Sequence, residues 1–225
     1  MTNKLSRDSI RDGNVCRMLK EQEHLTNIRP LTDAERESTL DAFLETVPKG
    51  PLWVFGYGSL IWNPAFHHTG RRNARVFGFH RYFCIKTPLG RGSPDYPGLV
   101  LALDVGGSCH GVAFRLPARS MREELSVVWA REMAIEGTYR PVCVRARTSR
   151  GPIHAVTFAI NHASERYVGR LPEDELVERL ARASGYLGSC AEYLHNTVTH
   201  MRESGIRDAH MFRLHRLVEE ATSQK

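Results

Sequence analysis

The feature that most constrains the fold is a series of short strand-like segments between residues 52 and 160. Aromatic and β-branched residues fill LWVFGYG, which begins at Leu52, and ARVFGFHRYFCI at residues 74–85. Further segments of this type are GLVLAL at 98–103, CHGVAFRLP at 109–117, and VCVRART and IHAVTFAI on either side of 149–152. We expect hairpin turns at 104–107 and 149–152. Strands gathered centrally, with helices inserted and appended, predict an α+β fold, a small antiparallel or mixed β-barrel flanked by helices.

Capping signals place the helices around this central block. Thr32, with Glu35 three residues later, forms a capping-box pattern, and Ser120 with Glu123 forms another. The second pattern opens a helix that we expect to run to about Glu136. Three more helices are predicted near the C-terminus, the second opened by a Ser189/Glu192 pattern: 172–183, 189–203 and 208–221.

The first 50 residues are predicted to form a helical extension to a compact domain at 51–222. Residues 1–30 are charged and weakly helical. The helix after Thr32 carries an apolar stripe at helical spacing: Leu40, Phe43, Leu44 and Val47. Because that stripe needs a surface to cover, our hypothesis is that the extension is a flap over the domain or a segment that docks a partner.

Composition excludes several classes of protein. The 225 residues are 41% hydrophobic and 25% charged, which rules out collagen-like, coiled-coil and wholly disordered chains. No apolar run reaches the roughly 18 residues of a membrane span. Residues 1–12 are polar and lack the apolar segment of a secretory signal. We therefore predict no membrane association and a cytoplasmic location.

Charge and metal-ligand spacing exclude two further classes. The net charge of +6 comes mainly from arginines spread along the chain, without a nucleic-acid-binding motif, so they suit a small carboxylate substrate better than nucleic acid. The five cysteines form no CxxC pair. His195/His200 and His210/His215 are each separated by roughly 140° on a helix, a poor chelating geometry, so no metal site is predicted. Nothing in the sequence specifies an oligomeric state.

One acidic residue falls on the apolar face of the predicted 120–136 helix. With roughly 100° per residue and Leu125 at zero, Val128 lies near 300°, Met133 near 80° and Glu132 near 340°. A carboxylate in that stripe is either buried, aimed into a cleft, or paired with a nearby arginine. Burial would raise its pKa and make it a proton acceptor near neutral pH. Glu132 is the only carboxylate that we predict to face inward in this helix.

The residues beside Glu132 are predicted to lie at the surface. Glu136 projects in nearly the same direction, but it stands in the last predicted turn beside Gly137 and is expected to reach solvent. Arg131 points roughly 100° away from Glu132 and is also predicted to be a surface residue.

A glycine-containing turn at residues 55–60, FGYGSL, follows the first apolar strand. Glycines at alternate positions let the backbone turn sharply and aim several N–H groups at one anion or developing oxyanion. The segment is not a P-loop, a GxGxxG fingerprint or a GxSxG nucleophile elbow, since Tyr57 and Ile61 flank Ser59. By itself the turn is consistent with either a ligand cradle or a strand-end bulge.

Several motifs in order resemble the ChaC-like γ-glutamylcyclotransferases. The opening one is WVFGYGSLIWNPAF at 53–66, and the resemblance covers about residues 51–215. Gly137 and Tyr139 follow Arg131-Glu132 in the segment that resembles the family's catalytic-glutamate region. The other matching segments are GFHR at 78–81, RGS at 91–93, PGLV at 97–100, GSC at 107–109, GVAF at 111–114 and GSCAEYL at 188–194.

The resemblance implies a γ-glutamylcyclotransferase-like barrel that cleaves glutathione to 5-oxoproline and cysteinylglycine without a cofactor. It implies that Glu132 is the general acid/base. The turn at 57–60 would cradle the substrate and the oxyanion. The predicted substrate-binding residues are Val54, Phe55, Gly56, Tyr57, Gly58, Ser59, Leu60, Arg81, Arg91, Tyr139 and Tyr193.

Alternative functions use the same residues. A cyclotransferase for other γ-glutamyl amino acids or amines would share Glu132 and the glycine turn, so only a panel of substrates separates it from the glutathione enzyme. A non-catalytic γ-glutamyl-binding regulator is disfavoured because an idle buried carboxylate costs stability. A nucleic-acid binder would show steeply salt-dependent affinity, which scattered arginines do not favour.

Overall fold

Five long strands close into a barrel, and helices cover it on several sides. The computed structural model describes residues 5–21, 26 and 28–223. The strands are β1 Leu52–Gly56, β2 Gly70–Thr87, β3 Gly98–Arg115, β4 Tyr139–Thr148, β5 Gly151–Ile160, β6 Ser184–Gly185 and β7 Gly188–Ser189. The helices are α1 Arg7–Arg11, α2 Asn14–Glu21, α3 Asp33–Thr46, α4 Met121–Glu132, α5 Glu173–Arg182, α6 Cys190–Glu203 and α7 Ala209–Ser223, with a 3₁₀ turn at Ser59–Ile61.

The barrel has the strand order β1-β3-β2-β4-β5 and is closed by parallel pairing of β1 with β5. The other long-strand pairs are antiparallel, except for one parallel contact between β3 and β5. Large aromatic side chains fill the core: Phe55, Phe83, Phe114 and Phe158. The predicted α+β barrel is therefore confirmed, and it is of the mixed type.

The predicted hairpin at 104–107 is wrong, because β3 continues through it from Gly98 to Arg115. Gly106 and Gly107 adopt φ values of +103° and +69°. They lie opposite a register shift in β2 between Phe77 and Phe79. Glycines at positive φ therefore bend the paired strands together instead of reversing the chain. The predicted hairpin at 149–152 is confirmed by the pairing of Thr148 with Gly151.

The capping patterns had mixed outcomes. Thr32 and Glu35 form the full capping box at the start of α3. The Ser189 hydroxyl accepts the Glu192 N–H at 3.0 Å and caps α6. The Ser120 side chain makes no capping hydrogen bond, so that predicted box is wrong.

Helix α4 ends at Glu132, four residues earlier than predicted. The chain beyond it pairs with the N-terminal segment instead of continuing the helix. The Leu31 N–H donates to the Ala134 carbonyl at 3.0 Å, and the Glu136 N–H donates to the Arg29 carbonyl at 3.1 Å. This long-range pairing places Glu132 at a helix end, where its side chain reaches a cavity.

The predicted α3 stripe packs against the domain. Leu40 and Phe43 are buried, and the Phe43 ring lies 5.2 Å from that of Trp129 on α4. Leu44 and Val47 are partly buried against the same core. Among the described residues, no helix has the length and apolar character needed to cross a membrane.

Candidate active site

A cavity of about 210 Å³ lies between the 3₁₀ turn, the end of α4 and the N-terminal helix α2. Its lining is mostly apolar, and the polar groups that reach it come from separate elements. Those groups include Ser59, Arg91, Arg131, Glu132, Tyr139 and Tyr193.

Glu132 is the carboxylate of this cavity. Only 13% of its side chain is exposed. Burial raises the pKa of Glu132, while the adjacent Arg131 guanidinium, with Nε at 3.1 Å from Oε1, acts in the opposite direction. Glu132 is thus held near a positive charge but in poor contact with water, an environment that suits proton transfer near neutral pH. Glu136 is exposed and pairs with Arg29 at 3.1 Å.

The prediction that Arg131 is a surface residue is wrong. Only 6% of its side chain is exposed. It donates to the Asn63 carbonyl and, at 2.7 Å, to the Ser59 hydroxyl. A helical wheel missed this because the residues after α4 leave the helix and the turn at 59–63 lies against its end. Arg131 therefore links Glu132 directly to the glycine turn.

A second inward carboxylate on α4 was also missed. Glu124 is 2% exposed and accepts the His67 N–H at 2.8 Å. Arg7 of the N-terminal segment donates to both of its oxygens, one of them at 3.0 Å. Glu124 does not line the cavity, so its burial serves the docking of α1.

The glycine turn approaches its neighbours too closely for larger residues. A Cβ at Gly58 would lie 2.9 Å from the Tyr193 hydroxyl, and a Cβ at Gly56 would lie 2.9 Å from that of Leu60. The first hydrogen bond of the 3₁₀ turn runs from the Ile61 N–H to the Gly58 carbonyl at 2.9 Å. The N–H groups of Ser59 and Leu60 precede it and have no acceptor within the turn.

Three tyrosines surround the carboxylate, and its charge acts on each of them. The Tyr57 hydroxyl donates to the Phe158 carbonyl at 3.0 Å, and that of Tyr139 donates to the Leu101 carbonyl at 3.3 Å. Burial first, with a contribution from Glu132, raises the pKa of Tyr193 to about 12 and raises the pKa of Tyr57 and Tyr139 well above the ordinary value. All three therefore remain neutral hydrogen-bonding groups.

The two predicted arginines lie on different sides of the turn. Arg91 lines the cavity, donates to Glu192 at 2.9 Å and lies over the Tyr193 ring. Arg81 is not among the lining residues. It donates to the Tyr57 carbonyl and pairs with Asp208 at 3.0 Å, so it fixes the turn from behind.

Three other predicted binding residues also lie outside the lining. Val54 and Phe55 are fully buried in the barrel core, and Gly56 ends β1 beneath the turn. Like Arg81, these three predicted binding residues do not reach the cavity in this structure. The predicted residues that the structure brings to the cavity are Tyr57, Gly58, Ser59, Leu60, Arg91, Glu132, Tyr139 and Tyr193.

Part of the lining was not predicted from the sequence. Val15, Met18 and Leu19 come from α2 and occupy positions i, i+3 and i+4, a pattern that could have identified an inward face. Arg166 lies beyond the end of β5 and donates to the Thr138 hydroxyl at 3.1 Å. No local pattern marks Arg166.

Histidines from successive helices meet away from this cavity. His195 Nδ1 lies 3.1 Å from His215 Nε2, and His215 Nδ1 lies 3.2 Å from a Glu219 oxygen. One ligand atom from each of the three residues lies within 4.8 Å of the others. Spacing within single helices did not identify this arrangement, because its members come from two helices.

The barrel defines a class of fold, that of the γ-glutamylcyclotransferases. The crystal structure of a yeast γ-glutamyl cyclotransferase specific to glutathione superposes with a TM-score of 0.69 at 23% identity, covering 79% of this chain and 99% of that one. The ChaC-like protein family model matches residues 52–221. The chain belongs to the ChaC-like family.

Curated relatives are consistent with that assignment. A glutathione-specific γ-glutamylcyclotransferase of Escherichia coli K12 is 37% identical over 176 residues, which cover 77% of this chain and 76% of that protein. Glutathione-specific γ-glutamylcyclotransferase 1 of Danio rerio is 32% identical over 73% of this chain and 87% of its own length. The matched family region begins after the N-terminal segment that forms part of the cavity wall.

Proposed function

We propose that this protein is a glutathione-specific γ-glutamylcyclotransferase that releases 5-oxoproline and cysteinylglycine, acting in the cytoplasm. The observation that carries the proposal is Glu132, a mostly buried carboxylate that lines the cavity, has a raised pKa and is linked through Arg131 to the glycine turn. The names of the relatives support glutathione as the substrate. The five free cysteines support the location.

The reaction needs one base and one oxyanion site. Glu132 accepts a proton from the α-amine of the γ-glutamyl group, and the amine nitrogen then bonds to the γ-carbonyl carbon. The carbonyl oxygen gains negative charge, for which the N–H groups of Ser59 and Leu60 are the donors. The C–N bond to the cysteinyl nitrogen breaks as Glu132 returns the proton to that nitrogen. The step involves no redox change, and no cofactor is required.

Two positively charged side chains, Arg131 and Arg91, complete the set of residues to which we assign a role in the reaction. Arg131 bonds both Glu132 and Ser59, so we assign it as a positioning residue that fixes the base relative to the turn. Arg91 faces the cavity beside Tyr193 and is our candidate for the α-carboxylate of the substrate. Holding the amine close to the carbonyl in this way lowers the entropic part of the barrier.

The test is mass-spectrometric detection of both products from reduced glutathione, with Glu132→Gln and the exposed Glu136→Gln as a matched pair. We expect Glu132→Gln to lower kcat by about 10²- to 10⁴-fold, the usual contribution of a general base. Glu136→Gln should stay within about twofold of the wild type, since it changes a solvent-exposed pair. The acid limb of the wild-type pH–rate profile should have an apparent pKa above that of an ordinary glutamate.

Other outcomes separate the alternatives. Equal release by the wild type and Glu132→Gln would show that Glu132 is not the base. Release from other γ-glutamyl compounds but not from glutathione would favour the broader cyclotransferase. No release from any of them would leave a binding function for this cavity.

A further inference from the structure

Two histidines and a glutamate meet where the last two helices, α6 and α7, pack together. His195 lies on α6, and His215 and Glu219 lie about one helical turn apart on α7. His195 Nδ1 lies 3.1 Å from His215 Nε2, and the other ring nitrogen of His215, Nδ1, lies 3.2 Å from a Glu219 oxygen. None of the three side chains lines the cavity that holds Glu132. The cluster is therefore separate from the proposed active site.

The surroundings of His215 determine which of its nitrogens can bind a cation. The Glu219 carboxylate accepts hydrogen bonds but does not donate them, so its place beside Nδ1 favours the tautomer with the proton on that nitrogen. Nε2 then keeps a lone pair, which faces His195 Nδ1. His215 is only 4% exposed and is held by its packing, whereas His195 is exposed and its ring can turn. One fixed and one adaptable nitrogen donor therefore face each other across the two helices.

The separation of these two nitrogens fits a single metal ion. Nitrogens bound to one tetrahedral Zn²⁺ at about 2.0–2.1 Å lie about 3.3 Å apart, close to the 3.1 Å between His195 Nδ1 and His215 Nε2. Without a metal the same separation fits an N–H···N hydrogen bond. Binding therefore requires only that His195 carry its proton on Nε2 instead of Nδ1, with no net release of a proton.

The donor types indicate which cation would bind. Imidazole nitrogens suit Zn²⁺ and similar transition metals, whereas Mg²⁺ and Ca²⁺ prefer oxygen ligands. A carboxylate beside the second ring nitrogen, as Glu219 is beside His215, is the usual partner of a metal-bound histidine, because it fixes the tautomer and the ring orientation. His195 and Glu219 are both exposed, so water can reach the remaining coordination positions.

We propose that His195 Nδ1 and His215 Nε2 bind one Zn²⁺ between α6 and α7, with Glu219 as the orienting carboxylate and water completing the coordination. The ion would be structural, because it links two helices and lies outside the cavity. Helix α6 also carries Tyr193, which lines that cavity, so the ion would hold in place a helix that helps to form the proposed active site. The inference does not depend on the proposed function.

Calorimetric titration of the full chain with ZnCl₂ tests the site. We expect one Zn²⁺ per chain to bind with a micromolar dissociation constant, weaker than a site with four protein ligands. His195→Ala should weaken this binding at least about tenfold, since it removes one of two protein ligands. His200→Ala is the matched control, because it removes a partly exposed imidazole from the same helix but outside the cluster. MgCl₂ should not bind at the site.

A second pair of variants tests the carboxylate without removing a ligand. Glu219→Ala should weaken Zn²⁺ binding about tenfold, the usual effect of losing the partner of a metal-bound histidine. Glu220→Ala removes an exposed ion pair with Arg216 on the same helix and should leave the affinity unchanged.

Thermal unfolding gives a readout that does not depend on heats of binding. Zn²⁺ should raise the Tm of the wild type and of His200→Ala but not that of His195→Ala, because a ligand that binds only the folded state stabilises it. Equal Zn²⁺ affinities in His195→Ala and His200→Ala would overturn the site and indicate adventitious binding only. Absence of micromolar binding by the wild type would overturn it as well. Both results would leave the proposed cyclotransferase reaction intact.

Discussion

Glu132 is an ionisable side chain placed where its ionised form is disfavoured. Burial outweighs the nearby guanidinium of Arg131, so the pKa of Glu132 lies above its unfolded value. A carboxyl with a raised pKa binds more protons in the folded state than in the unfolded state. Its charge therefore costs stability once the pH exceeds the unfolded pKa, and that cost is complete above the folded pKa.

This loss of stability with rising pH gives a prediction for Glu132→Gln, because the side-chain amide of glutamine does not titrate. The difference in Tm, variant minus wild type, should increase as the pH rises from about 4 toward 8, because only the wild type acquires the buried charge. Differential scanning calorimetry at closely spaced pH values measures it. Glu136→Gln should show no such trend. A difference that stays flat or decreases with pH would show that Arg131 fully compensates the carboxylate.

At the scale of elements, contacts with the N-terminal segment coincide with the end of α4. The backbone of residues 29–31 pairs with residues 134–136, which ends α4 at Glu132. Arg7 forms an ion pair with Glu124, about two helical turns before that end. The segment that forms the cavity wall therefore also fixes the helix that carries the proposed base.

Removing the ion pair should undock this segment. Arg7→Ala leaves Glu124, 2% exposed, without its cation, and breaking a buried pair typically costs about 3–5 kcal/mol. Because residues 5–21 can open locally, we expect their amide exchange to rise at least about tenfold while the global unfolding free energy changes by only about 1 kcal/mol. Arg11→Ala, which removes an exposed pair with Glu123, is the control. Identical exchange in both variants would contradict this anchoring role.

Local patterns in the sequence predicted most elements but not how they meet. Periodicity placed Leu40 and Phe43 on a buried face, and the motif at 53–66 located the glycine turn. The same reasoning placed Arg131 at the surface, because a helical wheel carries no information on the Asn63 carbonyl that it bonds. It also divided β3 at Gly106 and Gly107, since a bulge and a hairpin use the same residue types. Both errors concern contacts between distant segments.

At the scale of the molecule, several described residues of the N-terminal 50 share the core of the barrel. Ile10, Leu40 and Phe43 belong to the same buried cluster as Phe55 and Phe158. Leu19 and Ile28 form a separate, smaller cluster beside the cavity. The predicted boundary at residue 50 consequently separates two sequence regions that bury apolar surface together. Within the extension, residues 1–31 and the α3 part that follows them should differ in their effect on stability.

Two truncations test this difference. Deleting residues 1–31 removes Ile10, Leu19, Ile28 and the part of the cavity wall formed by α2 but keeps α3, so we expect a folded protein with lower activity toward glutathione. Deleting residues 1–50 also removes Leu40 and Phe43 and uncovers Trp129, which is 1% exposed. Losing two such side chains costs about 3–6 kcal/mol, a large part of the roughly 5–15 kcal/mol that stabilises a typical domain. Circular dichroism should show a steep fall in Tm only for the longer deletion. Equal Tm values for both truncated proteins and the full chain would mean that the extension is independent of the barrel in stability.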